Sequence, residues 1–211
     1  LQVSSMTQDE RNQRTRARIM SAARKEFGDN GYEAASINTI CAAEGLSKGL
    51  LYHHFKDKDE LYLTCVRECF AHLLSYMEQQ IPSSLGENLD RDLALYFQIR
   101  PTFFQQYPDE QKIFFRAMLA PPRNLAEELT KLRRPVEDFN RRILAAVLKD
   151  TELRPGITIE EVSDLELILQ NYANSRPVMY DTALDDVAAH EMMCLQWIRL
   201  LLYGVVQTSP E

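Results

Sequence analysis

Nine consecutive residues, Ser47-Lys48-Gly49-Leu50-Leu51-Tyr52-His53-His54-Phe55, gather the side chains of this sequence best suited to meeting another molecule. As a short helix the run sends Leu51 and Phe55, with Leu46 just ahead, to one side. Lys48, Gly49, Tyr52 and His53 are left on the other. The outward set is hydrogen-bond donors around one residue with no side chain. Phosphate oxygens and base edges ask for such donors, and bulk would block entry to a groove. Lys48 and Leu50 are placed to probe base edges. Ser47, Tyr52, His53 and Lys58 are placed to hold phosphates, with Lys58 at a helix N-terminus where the macrodipole also favours an anion. Ser36 joins this DNA-facing set, and His54 is divided between phosphate contact and core packing.

A second group, Cys65, Cys69 and His72, lies at i, i+4 and i+7 and so shares one helix face. Soft ligands at that spacing suit a metal ion or an oxidation sensor. Leu61 and Tyr76 continue the same face, however, and no fourth ligand presents itself, so a packing stripe is the preferred reading and no metal site is assigned. Cys41, Cys65, Cys69 and Cys194 all sit in helical, largely apolar surroundings and read as reduced buried thiols.

The elements that position the nine residues follow from caps and periodicity. Thr7-Gln8-Asp9-Glu10 has the spacing of a capping box and starts a first helix, with Ile19, Ala22, Ala23 and Phe27 inward and Gly31 as its stop. Arg14 and Arg16 on this helix are equally suited to a phosphate and to solvent. Ser36 caps a second helix, Ile37 to Glu44, with Ile40 and Cys41 inward, and Gly45 supplies the turn out of it. Ser47 caps the nine-residue run. Helix, glycine turn, helix is an arrangement in which the second helix enters a major groove. Asp57-Lys58-Asp59-Glu60 then opens a long helix from Lys58 to about Gln80, apolar on most sides and therefore packed between layers.

The order Ile19 to Phe27, Gly31-Tyr32, Ser36-Ile37, Ile40-Cys41, Gly45-Leu46-Ser47, Gly49, Leu51-Tyr52, His54-Phe55 and Lys58 to Leu61 resembles the N-terminal domain of TetR-family transcriptional regulators, over roughly residues 12 to 65. Cys41 and Glu44 stand where the family usually has alanine. Cys41 is small enough to pack there, whereas Glu44 must stay at the surface or find a partner. Leu50 stands where the family often has a small residue or threonine, a departure that bears on which bases are preferred. The resemblance implies an all-α protein with a helix-turn-helix DNA-binding head at 7–58 and a helical effector-binding and dimerisation body at 59–211. It implies a repressor that binds a palindromic operator as a homodimer and is released by a small-molecule effector.

The body reads as helix with punctuation. A loop covers Pro82 to Gly86, and a helix from about Asn88 is expected to kink or break at Pro101. Another helix spans Pro108 to Ala120, and the stretch from Asn124 to Lys149 is expected in two pieces divided before Pro135. Thr158-Ile159-Glu160-Glu161 caps a long amphipathic helix running through Tyr172, and a last helix spans about Thr182 to Val206. The apolar residues of that last helix, among them Val187, Met192, Cys194, Leu195, Ile198, Leu201, Leu202 and Val205, occupy more than one face, which calls for a partner subunit. The family's last two helices pair with their twins, so a homodimer through them is expected. An apolar effector cavity is expected among Phe97, Phe104, Phe114, Met118 and Tyr172, each of which also suits plain core, with Arg100 and Arg176 to orient a polar group or else to form an internal ion pair or an exposed face. Phe103, Phe115 and His190 belong to the same surroundings.

Composition fits this division. The 211 residues are 45% apolar and 26% charged, enough for one sizeable core or two small ones. The net charge of −7 argues against nucleic acid as a total, yet through Lys58 nine Lys/Arg face seven Asp/Glu, and fifteen face twenty-four thereafter. A mildly basic head on an acidic remainder suits a protein that meets DNA at one end. No apolar run approaches the ~20 residues of a membrane span. Leu1 to Ser5, ahead of Met6, lack the order of a signal peptide and are read as a leader outside the fold, so a cytoplasmic protein is expected. No Gly-rich phosphate loop, H-E-x-x-H, G-x-S-x-G or Cys-His pair points to an enzyme or to a cofactor. The alternatives from other classes are a small-molecule binding or carrier protein that does not touch DNA, and a thiol- or metal-responsive regulator using Cys65, Cys69 and His72.

Overall fold

A computed structural model describes residues 7–82, 84–180 and 187–205. The described residues are helical throughout their regular structure, in the order α1 (Gln8–Ala34), α2 (Ile37–Ala43), α3 (Lys48–His54), α4 (Lys58–Gln80), α5 (Leu89–Gln106), α6 (Pro108–Leu119), a 3₁₀ turn (Arg123–Leu125), α7 (Ala126–Leu148), α8 (Ile159–Tyr180) and α9 (Val187–Val205). The all-α class is as the sequence implies. The expected start of the last helix near Thr182 lies outside the described residues.

The caps do what their spacing demands. Thr7 N–H donates to Glu10 Oε2 at 2.7 Å while Glu10 N–H donates to Thr7 Oγ1 at 3.2 Å. The same reciprocal pair joins Thr158 and Glu161 at 2.9 and 3.2 Å. At the head of α4, Glu60 N–H reaches Asp57 Oδ1 at 2.8 Å, and the Glu60 carboxylate accepts from Lys56 N–H at 2.6 Å. Each cap satisfies donors that the first turn of a helix leaves without partners.

Packing groups the chain into two compact units. One is built from the chain up to Cys69 together with Asp109–Leu129; the other takes Phe70–Pro108 and the chain from Thr130 onward. The first unit is thus larger than residues 7–58. Its core is Ile19, Met20, Phe27, Ile40, Leu51, Leu61 and Tyr62, all almost fully buried. α6 joins it through polar contacts that periodicity alone does not reveal: Arg116 Nη2 donates to Asp29 O at 3.1 Å, and the Lys112 ammonium pairs with the Asp29 carboxylate. These contacts meet α1 just before Gly31, whose φ of 72° and ψ of 173° end regular helical geometry there, with one further turn to Ala34. The expected stop at Gly31 therefore appears as a sharp bend inside α1.

In the second unit α5 and α8 pack on α9. No break occurs at either proline, which leaves a kink as the surviving form of the expectation at Pro101 and overturns the division before Pro135. α5 continues unbroken past Pro101 to Gln106, and α7 is one helix from Ala126 to Leu148 with Pro135 inside it. A proline removes one backbone bond and crowds the preceding turn. On both sides of each proline, however, the helix buries apolar side chains: Phe97, Ile99, Phe103 and Phe104 around Pro101, and Leu129, Val136, Phe139 and Leu144 around Pro135. Burial of each such side chain is worth about 1.5–3 kcal/mol, enough to offset the local defect.

Candidate nucleic-acid interface and ligand cavity

α3 is seven residues long, below the length at which a helix holds itself in water, so its order comes from caps and anchors. Ser47 adopts extended backbone and its Oγ accepts Leu50 N–H at 3.2 Å; at the other end Phe55 N–H closes on Leu51 O at 3.0 Å. Leu51 and Phe55 are buried and fasten one face to the core. The turn ahead of α3 places Gly45 at φ 61°, and Leu46 N–H donates to Cys41 O at 2.8 Å, which fixes the exit from α2. α2 is capped in turn by Ser36, whose Oγ accepts Thr39 N–H at 3.4 Å and whose own N–H donates to Glu26 Oε1 at 2.9 Å.

The opposite face of α3 is open. Lys48, Gly49, Leu50, Tyr52 and His53 are all exposed, with Tyr52 at 46%, and nothing but the Ser47 hydroxyl approaches the place a Gly49 side chain would take. Donors at 48, 52 and 53 therefore share one surface around a flat spot. Three other residues of the expected set are partly committed to the fold. Lys58 donates to Glu33 O at 3.3 Å and sits 4.7 Å over the Tyr32 ring, a cation–π contact. Ser36 is half-buried as a cap. His54 is half-buried against His53, and burial, then the charges of His53 and Arg16, push its proton affinity down.

Cys41 packs in the core, and Glu44 has a partner: Arg18 Nε donates to its carboxylate at 2.9 Å and Arg18 Nη2 to its carbonyl. Arg16 likewise pairs with Glu68 at 3.0 Å and lies over Phe55, so its charge is partly spent inside the protein, whereas Arg14 is exposed.

In the second unit two adjoining recesses open around Phe97, Glu166 and Ile198. The first has a free interior of only about 20 Å³ and is walled by Leu93, Tyr96, Ile143, Leu144 and Val147, with Asn140 as a polar group. The second adds Leu169, Gln170, Cys194 and Trp197. A buried chain of hydrogen bonds runs along the wall: Tyr96 Oη donates to Asn140 Oδ1 at 2.6 Å, and Asn140 Nδ2 to Gln170 Oε1 at 3.0 Å.

Of the residues expected at an effector cavity, Phe97 lines both recesses. Phe104 is core of the second unit, Phe114 and Met118 belong to the first unit, and Tyr172 stacks on Trp197 at 5.7 Å. Arg100 is buried and forms an ion pair with Glu191 at 2.8 Å. The side chain of Arg176 lies outside the described residues. Sequence reasoning missed Asn140, Glu166 and Gln170. The one available signal was the polar pair Glu166 and Gln170, one turn apart on a stretch otherwise flanked by apolar residues.

The thiols are buried. Burial pushes Cys65 up to about 12 and Cys69 well above the ordinary thiol value, and Cys69 Sγ donates to Glu110 O at 3.4 Å. His72 packs edge-on against Phe103 and Tyr107. Among the described residues no group of three or more His, Cys, Asp and Glu could hold a metal ion, and no helix is long and apolar enough to cross a membrane.

A short helix set by a glycine turn on a second helix, with its donor face open, is a helix-turn-helix arrangement. Residues 19–65 match the family model described as bacterial regulatory proteins, tetR family. Over that stretch the chain is similar to the DNA-binding part of TetR-family transcriptional regulators. It is 26% identical to the transcriptional regulator UidR of Escherichia coli over 197 residues, 93% of this chain and 95% of that protein. It is also 26% identical to the transcriptional repressor AcnR of Corynebacterium efficiens over 116 residues, 49% of this chain and 62% of that repressor, so the match spans about three fifths of AcnR. The fold is shared with the regulator FadR of Bacillus subtilis, solved in complex with stearoyl-CoA, at a TM-score of 0.67 and 18% identity over 86% of this chain and 96% of that one.

Proposed function

We propose that this protein is a transcriptional repressor that binds a palindromic operator as a homodimer and lets go when a small molecule occupies its helical body. The observation that carries the reading is the open face of α3, where Lys48, Tyr52 and His53 surround Gly49 on a helix locked at both ends. Residues 7–58 hold the DNA; residues 59–211 take the effector and pair the subunits. Lys48 and Leu50 read base edges, and Ser47, Tyr52 and His53 fix register on phosphates. Exposed apolar stripes support pairing: Leu165, Ile168 and Tyr172 on α8 and Met192, Leu200 and Tyr203 on α9, with Ile168 at 62% and Leu200 at 73% exposure, are costly to leave in water. Two-fold pairing presents two reading helices to successive major grooves. An effector releases DNA to the extent that it binds one head spacing better than the other. Such a regulator works where the chromosome is, in the cytoplasm.

Fluorescence anisotropy of a labelled duplex from upstream of the protein's own gene tests this. The expected result is tight, sequence-selective binding that falls steeply as salt rises, because most contacts go to phosphates. Equal affinity for a scrambled duplex overturns it.

A further inference from the structure

The recesses of the second unit are apolar but carry one acid. Glu166 is about nine-tenths buried, lines both recesses, and accepts no hydrogen bond among the described residues. The charged groups that act on it come from three helices, Arg100 on α5, Arg141 on α7 and Glu191 on α9, and His190 lies within the reach of Arg100. Both cations already have carboxylate partners. Arg100 pairs with Glu191 at 2.8 Å and Arg141 with Asp164 at 2.8 Å. Burial and Arg100 push His190 down to about 4, so it adds no charge at neutral pH. With Glu166 ionised, the buried set of Arg100, Glu191 and Glu166 carries one negative charge more than positive. Among the described residues no Lys or Arg lines either recess; the acid there is Glu166, beside the amides of Asn140 and Gln170 and the polar ends of Tyr96, Cys194 and Trp197.

From this we infer that the effector of this protein is a hydrophobic amine or other lipophilic cation, whose charged group pairs with Glu166 while its apolar body lies among Leu93, Phe97, Leu144 and Ile198. The inference rests on the reading of the second unit as the effector-binding body and adds the chemical class. A buried carboxylate whose neighbours are already paired gains most from a ligand that brings its own positive charge. An anionic head would meet Glu166 with no cation among the described lining residues to receive it. Burial, against the pull of Arg100 and Arg141, holds the Glu166 carboxyl up at about 7, and a ligand cation beside it would favour the ionised form.

Isothermal titration of the full chain with decylammonium, decanol and decanoate, which share one apolar body and differ in head charge, tests the inference. The expected order is decylammonium first, binding at least about tenfold more tightly than decanoate, a difference of about 1.4 kcal/mol. In Glu166→Gln, which keeps size and shape, that preference should shrink to about threefold or less while decanol binding persists. Decanoate binding as well as decylammonium in the unaltered protein overturns the charge class and leaves the effector cavity standing, so the decision does not hang on the variant's folding. Binding by none of the three overturns the cavity as well. A preference unchanged in Glu166→Gln overturns the role of that residue.

Discussion

At Gly45 backbone geometry, and not crowding, sets the residue type. Its φ is 61°, yet nothing lies within 4 Å of the position a Cβ would occupy. Gly45→Ala should therefore destabilise the protein by about 1–2 kcal/mol through the left-handed conformation alone, seen as a lower urea midpoint; an unchanged midpoint would show that the turn tolerates a side chain. This residue was legible in the sequence because a turn of one type asks for one residue. So were Ser36 and Ser47 as caps, Leu51 and Phe55 as anchors, and the choice of Glu44 between the surface and a partner. That the partner is Arg18 was not, since a side chain 26 positions away carries no local mark. Glu166 was hidden for the same reason, and its proton makes it testable. The folded protein holds that proton up to about pH 7, above the range of a free glutamate, so between the two values the folded state binds more protons than the unfolded one. The contribution to stability is complete below the ordinary carboxylate range, is lost as pH climbs toward 7, and is flat above. Unfolding at about pH 5 and about pH 8 should show a larger loss in the natural protein than in Glu166→Gln; equal losses would remove Glu166 from the account.

Among the elements, boundaries set by caps were readable, and continuity through proline was not. α1, α4 and α8 begin where Thr7, Asp57 and Thr158 place them, because a cap is a local bond. α5 and α7 run through Pro101 and Pro135 because tertiary burial on both sides outweighs a local penalty that sequence alone shows without its counterweight. Pro135 is exposed, so Pro135→Ala removes the defect without removing a buried contact. Stability should rise by about 1–3 kcal/mol, read as a higher urea midpoint. A fall would mean that the proline ring contributes packing after all.

For the molecule as a whole, charge segregation and the open face of α3 act together. The mildly basic stretch through Lys58 carries the reading helix, but part of its positive charge is engaged within the fold: Arg16 and Arg24 with Glu68, Arg18 with Glu44, Lys58 with Glu33 O. The cations and donors left for DNA are fewer than composition suggests, and α3 must supply a large share of them. The membership of α6 in the first compact unit, through Lys112 and Arg116 on Asp29, was beyond sequence reasoning because its contacts span more than eighty positions. The most direct test is operator affinity of Lys48→Ala and Tyr52→Phe beside the unaltered protein, with light scattering to follow subunit pairing. The account predicts at least about tenfold weaker binding for Lys48→Ala and a smaller loss for Tyr52→Phe, with pairing and melting unchanged, since both side chains are exposed. Operator affinity that survives both substitutions would contradict the assignment of α3 as the reading helix.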